Sequence, residues 1–307
     1  MSFGDEKLLL FDGACGTNLQ EVAIPDAAWQ GCAGCNELLN LTAPETIVAL
    51  HGSFLDAGAV VVETNTFGAS SIVLAEYGLA EKTAEINRAA VANARTAIGG
   101  RKGRYVAGSV GPTTKLPSLR HISVDELAGS LAEQMRALVE AGVDALVIET
   151  CQDLLQVKTA LVACFEVLEQ LGRNVPVLVS VTMERQGTML VGSDMAAICA
   201  TLEPFPIFSL GLNCATGPTD MVSHIRYLGH NWPSRISCMP NQGLPEVVDG
   251  RTFYPMTPDE FTRHMRVFID QDGVSVIGGC CGTTPEHIRQ LAAACRNLEP
   301  ADREVLR

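Results

Sequence analysis

The chain has few bases, few aromatic residues and no long apolar run. Lys and Arg total 22 against 35 Asp and Glu, a formal net charge of −13, and aromatic residues are 5% of the 307. No basic block or aromatic–basic stripe appears. Nucleic-acid binding draws its affinity from such basic surfaces, so a polyanionic partner is excluded. No apolar run approaches the roughly 18 residues that cross a bilayer, and the N-terminus, Met-Ser-Phe-Gly-Asp-Glu-Lys, lacks the apolar core of a signal peptide. A soluble, cytoplasmic protein with no membrane partner is expected. Cysteine is not scarce. Eleven are present, but the number is odd and the expected compartment reducing, so they are not a disulfide framework. Cys164, Cys199 and Cys295 lie in helix-like segments and read as small buried hydrophobes.

Hydrophobic residues make up 47% of the chain, with a mean hydropathy of +0.18, enough for a large core. Apolar, β-branched runs recur eight times: Leu8–Asp12, Val60–Thr66, Tyr105–Val110, Ala145–Thr150, Val177–Met183, Phe208–Cys214, Arg235–Pro240 and Val274–Cys280. Their length and composition suit strands buried on both faces. Between them lie segments of 3.6-residue periodicity, among them Pro44–Ala57, Ala80–Ile98, Asp125–Ala141, Leu154–Leu171, Pro258–Gln271 and Pro285–Leu298. Thr257-Pro258 and Thr284-Pro285 read as helix starts, and Gly58, Gly99, Gly142, Gly172 and Gly273 as helix ends. No linker interrupts the alternation. It predicts an α/β fold, a single-domain (β/α)8 TIM barrel over residues 1–307, with a doubly wound open sheet as the alternative. The loop from Glu21 to Asn40 exceeds a minimal connection and is placed over the barrel mouth.

In such barrels chemistry sits at the C-terminal strand ends. Those ends hold Asp12, Glu63 to Asn65, Ser109 to Thr113, Glu149, Thr182, Asn213 with Cys214, Asn241, and Cys280 with Cys281. Cys214, Cys280 and Cys281 each sit where an apolar run gives way to a turn. Three thiolates meeting there make a soft-ligand metal site with one position open, as catalytic zinc is held. Two core thiols are the plainer reading of Cys280-Cys281, yet successive strand residues point to opposite faces. A phosphate-binding loop at the eighth strand is another alternative, and it leaves the three cysteines unexplained.

Asp12 opens Asp12-Gly13-Ala14-Cys15-Gly16-Thr17 and offers a carboxylate beside free amides, which suits both charged groups of an amino acid; a turn-forming Asp is the alternative. Glu149 closes a strongly apolar strand and needs a cationic partner, whether substrate or structural ion pair. Cys32-Ala-Gly-Cys35 has no second pair and reads as incidental, with a loop-stabilising metal as the alternative. His51, His224, His264 and His287 fall in helix-like segments without ligand spacing and are assigned to helix surfaces.

Together these motifs resemble the zinc-dependent homocysteine S-methyltransferases, and within them the homocysteine-binding module of the cobalamin-dependent methionine synthases. The resemblance runs from Leu8 to about Asn297. It rests on Asp12-Gly-Ala, Glu63-Thr-Asn-Thr-Phe67, Gly111-Pro-Thr, Glu149-Thr150, Gly211-Leu-Asn-Cys214-Ala, Pro240-Asn-Gln-Gly-Leu-Pro245, Tyr254-Pro-Met-Thr-Pro258 and Gly278-Gly-Cys-Cys-Gly-Thr-Thr-Pro285. It implies Zn²⁺ held by Cys214, Cys280 and Cys281, the residues that carry the catalysis. It implies homocysteine held by Asp12, Glu149 and the amides around Gly13 and Ala14, with Asn213 also in the binding set. Cys15 departs from the family, which commonly has methionine there. The implied reaction is methylation of the homocysteine thiol to give methionine. The donor is methylcobalamin, not bound by this chain alone but brought by a cobalamin-carrying domain or protein. Folate-binding, cobalamin-binding and activation modules have no counterpart in these residues, which leaves a fragment and a free-standing subunit both open. The alternatives are a methyltransferase using S-methylmethionine or betaine, a phosphate-binding barrel enzyme, and a non-catalytic zinc barrel whose fourth ligand is Cys15.

Overall fold

The computed structural model describes residues 3–248 and 251–305. Eight parallel strands are β1 (Leu9–Leu10), β2 (Val61–Glu63), β3 (Tyr105–Val110), β4 (Ala145–Cys151), β5 (Val177–Val181), β6 (Ser209–Asn213), β7 (Arg235–Met239) and β8 (Val276–Ile277). They pair in the order β1-β8-β7-β6-β5-β4-β3-β2. A parallel bridge between Phe11 and Val61 joins the two ends of that order, so the sheet closes into a barrel. Each strand is followed by a helix: α1 (Pro44–Ala57), α2 (Thr83–Ile98), α3 (Val124–Ala141), α4 (Leu154–Leu171), α5 (Met195–Leu202), α6 (Pro218–Asn231), α7 (Pro258–Asp272) and α8 (Pro285–Ala294). This is the (β/α)8 barrel the alternation predicts, and the open doubly wound sheet is set aside. No described helix is long and apolar enough to cross a membrane.

The strands are apolar on both faces because both are buried. Leu9, Phe11, Val61, Ala107, Val147, Leu178 and Val276 fill the barrel interior. Their neighbours Leu10, Val62, Val106, Leu146, Val179 and Ile277 pack outward against the helices. That is the period-two alternation of a strand with a core on each side. Cys164, Cys199 and Cys295 belong to the outer layer, as expected of small hydrophobes. Thr257 forms a capping box with Glu260 at the start of α7, and Gly58, Gly142, Gly172 and Gly273 end their helices in the left-handed conformation.

Three features depart from the sequence pattern. The eighth ladder is only two residues long, because the chain leaves it at Gly278: Gly279 N–H donates to Asp12 O at 3.0 Å and Cys280 N–H to Pro240 O at 2.8 Å. A small antiparallel pair, Glu246–Val248 with Arg251–Phe253, follows β7; it is too short to carry a periodicity. Two histidines assigned to helix surfaces are buried. His51 on α1 is 2% exposed, as is His287, which accepts from Thr284 N–H through Nδ1 at 3.2 Å and caps α8.

The long first loop lies over the mouth, held by amide side chains. Asn65 Nδ2 donates to Asn36 O at 2.7 Å, Asn40 Nδ2 to Asn65 O at 2.7 Å and Asn93 Nδ2 to Asn40 O at 3.0 Å. Glu37 Oε1 accepts from Gly68 N–H at 2.7 Å. Cys32 and Cys35 are free thiols within this loop, packed with Leu38, Leu74 and Tyr77. They belong to no metal cluster among the described residues.

Phe268 on α7 is 1% exposed and packs in the outer layer. Phe268→Ala is expected to cost about 3–5 kcal/mol, the usual range for a buried aromatic cut to alanine, while bound metal stays unchanged. Denaturant unfolding beside metal analysis of the folded protein checks both halves.

Candidate metal and substrate site

All eight residues singled out from the sequence line one cavity. Asp12, Gly13, Ala14, Glu149, Asn213, Cys214, Cys280 and Cys281 face a space of about 340 Å³ at the C-terminal ends of the strands. A larger open cleft of about 920 Å³ lies among Tyr105, Asp144, Pro176 and Phe208. Those residues begin or precede strands, and no cluster of thiols or carboxylates converges on it.

The sulfurs of Cys214, Cys280 and Cys281 lie within 4.8 Å of one another, and those of Cys214 and Cys281 are 3.9 Å apart. A tetrahedral site with Zn–S bonds near 2.3 Å sets its sulfurs about 3.8 Å apart, so the cluster has the dimensions of three zinc ligands. Bringing them together costs backbone strain. Cys214 and Ala215 take φ values of 59° and 56°, a left-handed turn that non-glycine residues seldom adopt. On the other side the Cys280-Cys281 loop is pinned from two neighbours. Gln242 N–H donates to Cys281 O at 2.9 Å and Gly282 N–H to Thr17 Oγ1 at 3.2 Å. Gly282 itself has φ 81°, and a Cβ there would stand 2.5 Å from the Tyr254 ring. Tyr254, quoted in a sequence motif but given no role there, comes within hydrogen-bonding reach of Cys281.

The thiols share their charge unequally. Hydrogen bonds from Cys214 and Cys280, with a further one from Tyr254, hold the Cys281 thiol down to about 3, whereas Cys280 is pushed well up by the bond it donates to Cys214. Cys15 stands apart. Its sulfur donates to Asn65 Oδ1 at 3.4 Å, and burial followed by the nearby Glu37 and Asp12 charges pushes its thiol up. Among the described residues the cluster has three members, so the fourth position is not taken by Cys15.

Beside the sulfurs stand three carboxylates. Asp12 Oδ2 accepts from Glu63 N–H at 3.1 Å. Glu149 accepts from Ser109 Oγ at 2.6 Å through Oε1, and from Asn213 Nδ2 at 3.1 Å and Thr150 Oγ1 at 3.3 Å through Oε2. Asn213 also accepts from Thr150 N–H at 2.9 Å, fixing the turn where Thr150 takes φ 56°. Glu63 completes the group at the end of β2. Burial pushes all three carboxyls above their ordinary range, and the neighbouring charges add to the effect. No Lys or Arg lines the cavity, so Glu149 has no structural ion pair there. Asp12 also lines the cavity.

The amides sort as follows. Ala14 N–H donates to Thr283 Oγ1 at 3.2 Å, which engages one of the two amides expected to be free. In the loop after β8, the N–H groups of Gly279, Cys280, Gly282 and Thr283 are all bonded within the protein. A phosphate cradle needs such amides free, and these four are not.

Residues 9–295 match the family model described as homocysteine S-methyltransferase. The chain is 41% identical over 305 residues to a methionine synthase of Mycobacterium tuberculosis, covering 98% of this chain and 26% of that protein. It is also 41% identical over 293 residues to a methionine synthase of Mycobacterium leprae, covering 94% and 24%. It thus spans about a quarter of the length of the curated relatives it matches. Among solved structures, the metallated form of the homocysteine methyltransferase MmuM from Escherichia coli superposes with a TM-score of 0.73 at 24% identity, over 94% of this chain and 96% of that one, a likeness of fold. The match to the family model covers nearly the whole barrel, and on that ground the chain belongs to the homocysteine S-methyltransferase family.

Proposed function

We propose that this barrel methylates the thiol of homocysteine to give methionine, with Cys214, Cys280 and Cys281 holding Zn²⁺. The observation that carries the reading is one cavity in which three mutually close sulfurs face a group of carboxylates with no Lys or Arg among them. When bound, zinc lowers the pKa of a coordinated thiol and keeps the sulfur in place at neutral pH, where a free thiol is mostly protonated.

The chain's own groups account for the rest of substrate recognition. Asp12 and Glu149 receive the substrate ammonium in charge-assisted hydrogen bonds. Asn213, tied to both Glu149 and Thr150, holds the Glu149 carboxylate in position. The Gly13 amide receives the substrate carboxylate, and the Ala14 amide joins it by exchanging Thr283 for the ligand. The thiol proton leaves to solvent through the open mouth. The sulfur then attacks the donor's methyl carbon in line; a sulfur–carbon bond forms, and the electron pair of the broken bond stays with the donor. No covalent enzyme intermediate is needed.

The donor is methylcobalamin, carried by another domain or protein and approaching the mouth from outside. The support is the likeness to proteins named methionine synthase, of which this chain spans only about a quarter. Turnover with each donor tests it. Methionine formation from methylcobalamin is expected, and activity with S-methylmethionine or betaine alone assigns the chain to another branch of the family.

The metal assignment has its own check. About one zinc per chain is expected, and Cys214→Ala, Cys280→Ala and Cys281→Ala are each expected to lose metal and activity while the barrel stays folded, because two thiolates leave a weak site. Metal analysis with circular dichroism reads this, and full zinc retention in any variant removes that residue from the ligand set.

Glu149→Gln is expected to weaken homocysteine binding by about 1.5–3 kcal/mol, the range for a hydrogen bond to a charged group, without releasing zinc. Calorimetry with homocysteine and with 4-mercaptobutanoate, which lacks the amino group, checks it. An equal loss for both ligands contradicts the ammonium assignment.

A further inference from the structure

Glu63 has no partner to explain its place in the cavity. It ends β2, is half-buried and lines the same space as Asp12 and Glu149. Its Oε1 is shut away from solvent without a hydrogen bond, and among the described residues no donor reaches Oε2. Its neighbours are provided for. Glu149 is fed by three donors, Asp12 by the Glu63 amide itself, and Glu37, the other acid on the wall, by Gly68 N–H. A carboxylate taken from water without compensation is expensive. Burial, then the charges of Glu149 and Asp12, push its carboxyl well up. The wall's one titratable base, His51, gives no relief, because burial lowers it to about 4 and leaves it neutral.

A cation entering the cavity supplies what Glu63 lacks. An α-ammonium has three N–H donors, and of the four acids that line the space Asp12, Glu63 and Glu149 lie close enough for their charges to act on one another. We propose that Glu63 is a specificity-determining residue that binds one N–H of the substrate ammonium together with Asp12 and Glu149, so that the pocket selects amino thiols over otherwise equal thiols. This deepens the proposed function and rests on it. Glu149, already saturated by neutral donors, is the pre-oriented member of the trio, and Glu63 is the member whose hydrogen bonding is completed only by the ligand.

The test is a binding cycle on the zinc-loaded full chain, read by calorimetry with L-homocysteine and 4-mercaptobutanoate, with zinc content and melting temperature as controls. Glu63→Gln is expected to weaken homocysteine about ten- to hundredfold, the loss for one charge-assisted hydrogen bond. Binding of 4-mercaptobutanoate is expected to hold or tighten, since a buried negative charge is removed. Glu63→Asp, which keeps the charge on a shorter stem, is expected to retain part of the preference for the amino thiol. An equal loss for both ligands, an unchanged preference in Glu63→Gln, or complete loss of preference in Glu63→Asp overturns the inference. Failure of the wild-type chain to bind homocysteine at all, with zinc present, overturns the proposed function itself and is distinguishable from a preference that merely survives the Gln substitution.

Discussion

Negative charge removed from water with no Lys or Arg beside it is the condition that shapes the upper end of this barrel. Four thiols and four carboxyls line one cavity, and burial favours the neutral form of each carboxyl. The surrounding structure answers with neutral donors. Ser109, Thr150 and Asn213 surround Glu149, and Tyr254 serves Cys281. Even the backbone irregularities follow. Left-handed turns at Thr150 and at Cys214-Ala215 bring donors and sulfurs to places a regular strand end would not reach. Glu63 Oε1 is left without a donor. On the proposed function, a dication and an ammonium would be complementary halves of the same electrostatic problem, and metal and substrate recognition would share one small space.

Much of this was legible in the sequence because a barrel concentrates its exceptions. Asp12, Glu149 and Cys214 each break an apolar run at its end, and the run fixes where the break lies in space. The pair Cys280-Cys281 stood out because two adjacent strand residues cannot both face one core. Helices with capped starts, such as α7 and α8, were bounded nearly to the residue at their N-termini. The far end of α7, read at Gln271, lies at Asp272, whereas the periodicity of α8 continues to Leu298, beyond the last helical turn at Ala294.

What the sequence hid depends on what comes from elsewhere in the chain. Glu63 looks like any acid at a strand end until the cavity it lines proves to hold no Lys or Arg. Tyr254 meets Cys281 from a different loop, a proximity no local pattern encodes. His51 shares α1 with the apolar Phe54, and its burial is set by the cavity wall it joins and by the packing around the first loop. Periodicity reports which face of a helix is apolar, and it is silent on whether the polar face is later covered.

The latch on that first loop has a consequence for behaviour in salt. Three of its hydrogen bonds come from the amides of Asn40, Asn65 and Asn93, and the fourth, from Gly68 to Glu37, is buried. Dipolar and buried bonds are barely touched by mobile ions, which screen exposed charges over a Debye length of about 8–10 Å. Raising ionic strength therefore leaves the cover over the mouth in place while it damps the long-range field of a chain with net charge −13. Entry of a charged ligand and opening of the loop respond to different variables, and the salt dependence of capture reports the field of the cavity separately from the motion of its rim.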